Sequence, residues 1–507
     1  MMPPERRLRM HLQPEHLNEL FFMPDNKQPQ NTSLDPENWD DFRKKMHEVA
    51  DSLVDKMQAI GDGPVWQPVP KDVINALDVP LPKAGQGTEN TIKILEEQIL
   101  PYPAGNAHPR FMGWVQGGGT TGSLIASMYE AAMNSNVGGR EHVAVYVEKQ
   151  VTKWMLELFN FPVSGSGILT TGTSMATMDA LIIARHCLLG PLDSDAKSLR
   201  QSRLRLYASK AVHNSLTKAV SVMGLSVDAL HSVDENQDGS INISALQSAI
   251  SSDRDAGFEP FAIVGTVGTV STGAIDDIKQ LADIADAQDL WLHIDGAFGA
   301  LAILLPELKA KFEGIDRAKS IAFDFHKWGQ VSYECGCLLV YDKEQHRAAF
   351  SNRASYLASF ERGIASSDHW FCDYGTELSR SFRALKVWFL LQEHGTDALE
   401  ATLRSSCDLA SYLEAEVEKE DSLEILSPAL LNITCFRVRP LASEDADSFN
   451  NEIVADLQEQ GIAVPSTTVI DGKLAIRCCF INHRTTRKDV DILLKNIISL
   501  TKQRRNI

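Results

Sequence analysis

Lys327 stands in the run Asp324-Phe325-His326-Lys327-Trp328, at the close of an apolar, strand-like stretch. A lysine at a buried strand end is costly unless it is paired or made neutral as an imine. In the run Trp291-Leu292-His293-Ile294-Asp295, 32 residues upstream of the lysine, a carboxylate closes another apolar stretch. Earlier still, Leu169-Thr170-Thr171-Gly172-Thr173-Ser174-Met175-Ala176 passes from a strand pattern through a glycine turn into a helix pattern. The free N–H groups and the dipole of such a helix start suit a phosphate. Each feature has an ordinary reading when taken singly: Lys327 as a surface residue, Asp295 as a helix cap, the glycine turn as a plain helix start. Together they meet the needs of pyridoxal 5'-phosphate, whose aldehyde takes a lysine imine, whose ring nitrogen wants an acidic partner and whose phosphate needs a cradle.

The elements that must position these groups follow from the hydrophobic pattern. Strand-like runs fall at 167–171, 203–208, 261–267, 290–294, 320–325 and 335–341, with helical patterns at 174–187, 212–223, 241–251 and 275–287 between them. This alternation predicts a mainly parallel sheet with helices on both faces and a ligand at the carboxyl ends of its strands. A long helix at 397–416 and strand-like runs at 433–438 and 473–481 predict a smaller α+β unit. Near the other end, Trp39, Phe42, Met46, Val49, Leu53 and Met57 recur at helical spacing and make one apolar stripe that must dock on something. A Pro-punctuated stretch with a short helix at 91–98 follows it. The expected division is a flexible polar arm at 1–35, a helical segment at 36–120, a large domain at 121–390 and a small one at 391–507.

Other motifs are weaker. Gly117-Gly118-Gly119-Thr120-Thr121-Gly122 satisfies a dinucleotide pattern with Glu141 downstream, but the residues before that acid, 134–139, read as loop, so a turn that lets backbones approach is the better reading. Asp234-Glu235-Asn236-Gln237-Asp238-Gly239 opens like a calcium loop yet has Ala245 where a bidentate glutamate belongs, which makes it a polar turn. No C-x-x-C or H-E-x-x-H pair suggests a metal. The 507 residues carry 49 basic against 67 acidic side chains, a net charge of −18 that repels nucleic acid and anionic lipid. No segment approaches the roughly 20 apolar residues of a spanning helix, and the N-terminal pattern fits neither a signal nor a transit peptide. The eight cysteines do not read as a disulfide framework, which points to the cytoplasm.

Across roughly residues 35–500 the chain resembles the group II pyridoxal-phosphate-dependent amino-acid decarboxylases, which include the aromatic amino-acid and glutamate decarboxylases. The resemblance rests on His293-Ile294-Asp295-Gly296-Ala297-Phe298, His326-Lys327-Trp328, Ala211-Val212-His213-Asn214-Ser215 and His108-Pro109-Arg110-Phe111. Arg380-Ser381-Phe382-Arg383-Ala384-Leu385-Lys386 and Asn482-His483-Arg484-Thr485-Thr486 add to it.

The resemblance implies an aspartate-aminotransferase-like α/β fold (fold type I), with a mainly parallel sheet of the seven-stranded type, an N-terminal helical segment and a small C-terminal α+β domain. It implies Lys327 as the imine-forming lysine, Asp295 as partner of the ring nitrogen, His213 stacked on the ring and Ala297 beneath it. Thr173, Ser174 and His326 become phosphate-side contacts, with Thr269 in the same neighbourhood. Tyr356 resembles a loop tyrosine that protonates the carbanion after carbon dioxide leaves, which favours decarboxylation to an amine. The rival on the same scaffold is oxidative decarboxylation-deamination to an aldehyde, and a more distant one is a dinucleotide-binding oxidoreductase. Phe111 and Trp114 are candidate substrate contacts, in a wall that is richer in aromatic residues in the animal aromatic decarboxylases. Phe325, Gly296 and Met175 depart from common family residues without removing a catalytic group. The implied assembly is a homodimer wrapped by the N-terminal helices, with active sites at the interface.

Overall fold

The computed structural model describes residues 33–351, 361–367, 369–442 and 444–505. Nearly all of the arm expected at 1–35 lies outside the described residues, and so does Tyr356. Two compact units divide the chain, one ending at Gln58 and the other starting at Ala59. The first contains the helix Trp39–Gln58, begun by Asn38, whose side-chain oxygen accepts the N–H groups of Asp40 and Asp41 at 3.0 and 3.2 Å. Its apolar stripe forms as the spacing predicts, and no residue of the helix is buried.

The second unit is organised by a seven-stranded sheet of β1 (Ser166–Thr170), β2 (Leu204–Ser209), β3 (Leu230–Val233), β4 (Glu259–Thr266), β5 (Trp291–Asp295), β6 (Ser320–Asp324) and β7 (Gly336–Val340). Their order is β1-β7-β6-β5-β4-β2-β3. Four neighbouring pairs are parallel, and only β7 runs antiparallel to its neighbours β1 and β6. Strands β1, β2, β5, β6 and β7 are buried at every residue, as continuous apolar runs require of strands covered on both faces. Register then fixes the chemistry: Asp295 pairs with Thr266 of β4 on one side and Ala322 of β6 on the other, and Asp324 faces Gly336 of β7.

Edges differ from the sequence expectation where local signals are weak. The helix expected at 212–223 spans only Ser215–Val222, because His213 and Asn214 form the turn that enters it. Edge strand β3, four residues long and partly exposed, has no apolar run to announce it. The helix expected at 397–416 belongs to a longer one, Ala384–Glu418, interrupted at Gly395, where φ is 73°. The Asp234–Gly239 region is a polar turn as expected: Asp238 accepts the N–H and the hydroxyl of Ser240 at 3.0 and 2.6 Å. A second, antiparallel sheet, β8 (Leu423–Leu430), β9 (Ile433–Val438), β10 (Ser466–Ile470) and β11 (Lys473–Cys479), packs its own core around Leu413, Phe436 and Ile476.

Strand β1 is anchored by an ion pair with no exposure to solvent. Glu148, on the helix Val143–Leu158, binds Arg380 and accepts the Leu169 N–H at 3.0 Å. Arg380 also donates to the carbonyls of Val137 and Leu169. In Glu148→Ala the guanidinium stays buried without its counter-charge, so the chain is expected to lose about 3–5 kcal/mol of stability, read as a lowered midpoint in urea.

Candidate active site

Four chain segments bring chemically useful groups to the carboxyl ends of the parallel strands. Past the end of β6 the chain turns tightly, and Lys327 folds back so that its Nζ lies 2.9 Å from Asp324 Oδ2. The other oxygen of Asp324 accepts the Thr173 N–H at 2.6 Å, at the start of the helix Thr173–Leu189. One buried carboxylate therefore joins the lysine to the glycine turn after β1. Asp295, at the end of β5, is 3% exposed and accepts the Ala297 N–H at 3.1 Å. Burial raises its carboxyl above the ordinary range, against the pull of Lys327, the Ala297 N–H and His213.

The histidines divide into two kinds. His213 follows β2, and its Nδ1 accepts the Ser215 N–H at 3.2 Å and meets the Ser215 hydroxyl at 2.8 Å, which leaves Nε2 as the protonated nitrogen. Partial burial lowers its pKa, Asp295 opposes that shift and Lys327 adds to it, so His213 is within electrostatic reach of both groups. His326 takes the Cys335 N–H on Nδ1 at 3.1 Å and packs against Tyr333, with ring centroids 4.4 Å apart and the planes tilted by 35°. Its burial likewise favours the neutral ring, against the nearby Asp324. His293 is structural: burial holds it near pKa 3, and it shares hydrogen bonds with Ser320 at 2.8 Å and Thr177 at 3.2 Å. It thereby ties β5 to the first residue of β6 and to the helix that begins at Thr173.

The expected residues are only partly gathered. Lys327, Asp295, His213, His326 and Thr173 converge, with Ser174 exposed on the same helix start. The Ala297 carbonyl accepts the Asp324 N–H at 2.9 Å, which locks the two strand ends together. Thr269 uses its hydroxyl within its own turn, accepting the Ala274 N–H at 3.0 Å and meeting Thr272 at 3.0 Å. Phe111 and Trp114, with ring centroids 6.0 Å apart, line a cavity of about 400 Å³ with Trp66 and Val464, and Lys327 is not among its walls. A larger cavity of about 610 Å³, walled by Lys149, Leu156, Phe161 and Lys343, holds none of these groups.

Sequence reasoning assigned no role to Asp324, and missed how the flanking motifs meet. Asn482 donates to the carbonyls of Asn106, Ala107 and His108 at 3.1, 2.9 and 3.2 Å, and Thr485 donates to that of Pro109 at 2.7 Å. Gln330, three residues past the lysine, donates to Ile481 at 2.6 Å and pairs with His483 at 3.0 Å. A Cβ on Gly117 would overlap the carbonyls of His326 and Lys327, so the glycine-rich stretch is the close approach that the sequence suggests. Thr120 then caps the helix Thr121–Met133, and the segment before it contains no strand of the dinucleotide kind.

The donor set fits pyridoxal phosphate. The Thr173 hydroxyl is buried with no partner among the described residues, at a helix start that favours an anion. The amine of Lys327 and the buried carboxylate of Asp295 supply the other two requirements.

A lysine, two carboxylates and a helix start at the carboxyl ends of such a sheet define a cofactor-dependent α/β enzyme. The family model described as pyridoxal-dependent decarboxylase conserved domain matches residues 70–439, and the chain belongs to that family of pyridoxal-phosphate-dependent amino-acid decarboxylases. Its fold is that of fold type I. An aromatic-L-amino-acid decarboxylase of Bacillus atrophaeus is 30% identical over 92% of this chain and 96% of its own length. A phenylacetaldehyde synthase of Arabidopsis thaliana is 27% identical over 90% and 95%. The crystal structure of Oryza sativa TDC with PLP and tryptamine superposes with a TM-score of 0.85 at 26% identity, covering 92% of this chain and all of that one. Among the described residues no helix is long and apolar enough to cross a membrane.

Proposed function

We propose that the chain converts an aromatic L-amino acid to its amine and carbon dioxide, with Lys327 and Asp295 as the residues on which the reaction turns. The observation that carries this reading is the convergence of the Lys327 amine and the buried Asp295 carboxylate beside the Thr173 helix start. Bound there, pyridoxal phosphate supplies the electron sink that amino-acid decarboxylation needs. Lys327 would hold the cofactor through Nζ, Asp295 would keep a proton on its ring nitrogen, and His213 and Ala297 would hold its ring. Thr173, Ser174 and His326 hold the phosphate, and Thr269 shapes the neighbouring turn. The aromatic preference is supported by the relatives, an aromatic-L-amino-acid decarboxylase among them; Phe111 and Trp114, the substrate contacts that the resemblance implies, line a separate cavity and add no support of their own.

The working unit in this reading is a homodimer in the cytoplasm, with the segment 36–120 wrapping the partner, domains at 121–390 and 391–507, and active sites at the interface. Two uncovered apolar surfaces support it: the stripe of the helix Trp39–Gln58, and Ile125, Met128, Tyr129 and Met133 along one side of the helix Thr121–Met133. None of the eight cysteines is joined in a disulfide, in keeping with a reducing compartment.

Tyr356 decides between two outcomes. As the proton donor to Cα, it directs the reaction to amine plus carbon dioxide. Without it, molecular oxygen and water are consumed and aldehyde, carbon dioxide, ammonia and peroxide result. Incubating the holoenzyme with aromatic, acidic and aliphatic L-amino acids, and measuring all of these products, tests the reading. Equimolar amine and carbon dioxide from an aromatic substrate support it, whereas aldehyde with ammonia and peroxide from the native chain overturns it. Tyr356→Phe is expected to move most of the product from amine to aldehyde.

A further inference from the structure

Asp324 stands where it opposes the group the site is built to hold. Its Oδ1 takes the Thr173 N–H at 2.6 Å, the first amide of the helix start, and its Oδ2 holds the Lys327 Nζ at 2.9 Å. The carboxylate is 3% exposed and cannot swing into water without unpacking the turn. It is held from behind as well, since its own N–H is bonded to the Ala297 carbonyl at 2.9 Å. The Thr173 hydroxyl next to it remains without a partner among the described residues. A phosphate arriving at this helix start meets a fixed negative charge at the amide it would use, and the lysine it must be joined to is already paired.

We propose that Asp324 is a positioning residue that makes cofactor retention conditional: it holds the Lys327 amine and the Thr173 amide in place before the cofactor binds, and weakens the grip on the phosphate once it is bound. This rests on the reading of Lys327 and Thr173 given above. The like-charge opposition acts on the phosphate alone, so its signature is a difference between phosphorylated and unphosphorylated ligands.

The test uses full-length protein freed of cofactor. Pyridoxamine 5'-phosphate and pyridoxamine serve as probes because neither carries the aldehyde that reacts with the lysine. In Asp324→Asn the side-chain oxygen still accepts the Thr173 N–H but the charge is gone. The dissociation constant for pyridoxamine 5'-phosphate, measured by calorimetric titration, is expected to fall about tenfold or more, while that for pyridoxamine changes less than about twofold. Asp324→Ser, also neutral, must shift the phosphorylated probe in the same direction, and an unchanged melting temperature shows that each variant is folded. Weaker or equal binding of the phosphorylated probe by both variants overturns the proposal, and so does equal tightening of both probes, the mark of a merely loosened turn. Failure of the native chain to take up pyridoxal phosphate in a Lys327-dependent way would instead overturn the reading of the site, and the proposal with it.

Discussion

Lys327→Ala is expected to lose amine formation by on the order of 10³-fold or more, together with the visible absorbance of lysine-bound cofactor. The substitution removes the only lysine that the structure brings to the strand ends beside Asp295 among the described residues, and methyl replaces an amine that is paired to Asp324 at 2.9 Å. Borohydride treatment of the native holoenzyme should fix the cofactor on the peptide containing Lys327, as read by mass spectrometry, and fix none in the variant. Stability should fall as well, because the buried Asp324 keeps its bond to the Thr173 amide but loses its counter-charge, so the fixed cofactor rather than the melting temperature is the deciding readout. Retained activity, or cofactor fixed at another lysine, would remove Lys327 from the reaction.

Asp295→Asn is expected to separate stability from catalysis. In the holoenzyme, kcat should fall by on the order of 10²-fold or more, because an amide cannot hold a proton on the ring nitrogen and the electron sink weakens. In the cofactor-free chain the effect reverses. Burial raises the Asp295 carboxyl above its ordinary pKa of about 3.9. The folded chain therefore binds the proton more tightly than the unfolded chain does, so folding is penalised as pH rises from the ordinary pKa through the raised one, and the penalty is complete above it. Asparagine carries no such penalty. At pH 7 to 8 the cofactor-free variant should melt above the native chain, and the gap should close as pH falls toward 4. When cofactor is added the order should invert. A variant that melts below the native chain without cofactor at neutral pH would show that Asp295 is stabilised as an anion by the protein alone.

Much of this site was legible because its parts close strands. Apolar runs that end in an acid or a lysine are rare enough to be read directly, and Asp295, Lys327 and the Thr173 helix start all lie where those runs stop. The strands that the sequence does not announce, β3, β8 and β10, are edge strands with partly exposed residues, whose pairing comes from the neighbouring strand rather than from their own apolar content. Asp324 was visible as a residue but not as a link, because its partner amide lies 151 positions away and only the sheet order, with β7 between β1 and β6, brings the two turns together. The ring pair Phe111–Trp114 was named from resemblance, and the fold gives it a cavity of its own rather than a place beside the lysine.

The buttress under the lysine turn also sets a timetable for the newly made chain. Asn482 grips carbonyls up to 376 positions earlier, and Gln330 reaches 151 positions forward to Ile481. The seven strands of the large sheet are complete by Val340, long before those late residues leave the ribosome. A nascent chain that already has its sheet still holds Lys327 on a turn without its late contact, from Gln330 to Ile481, and long-range contacts of this kind form slowly. Competence to retain the cofactor therefore arrives with Ile481, Asn482 and Thr485 rather than with the strands that carry the lysine, and chains cut short before Ile481 are expected to hold the large sheet yet form no amine.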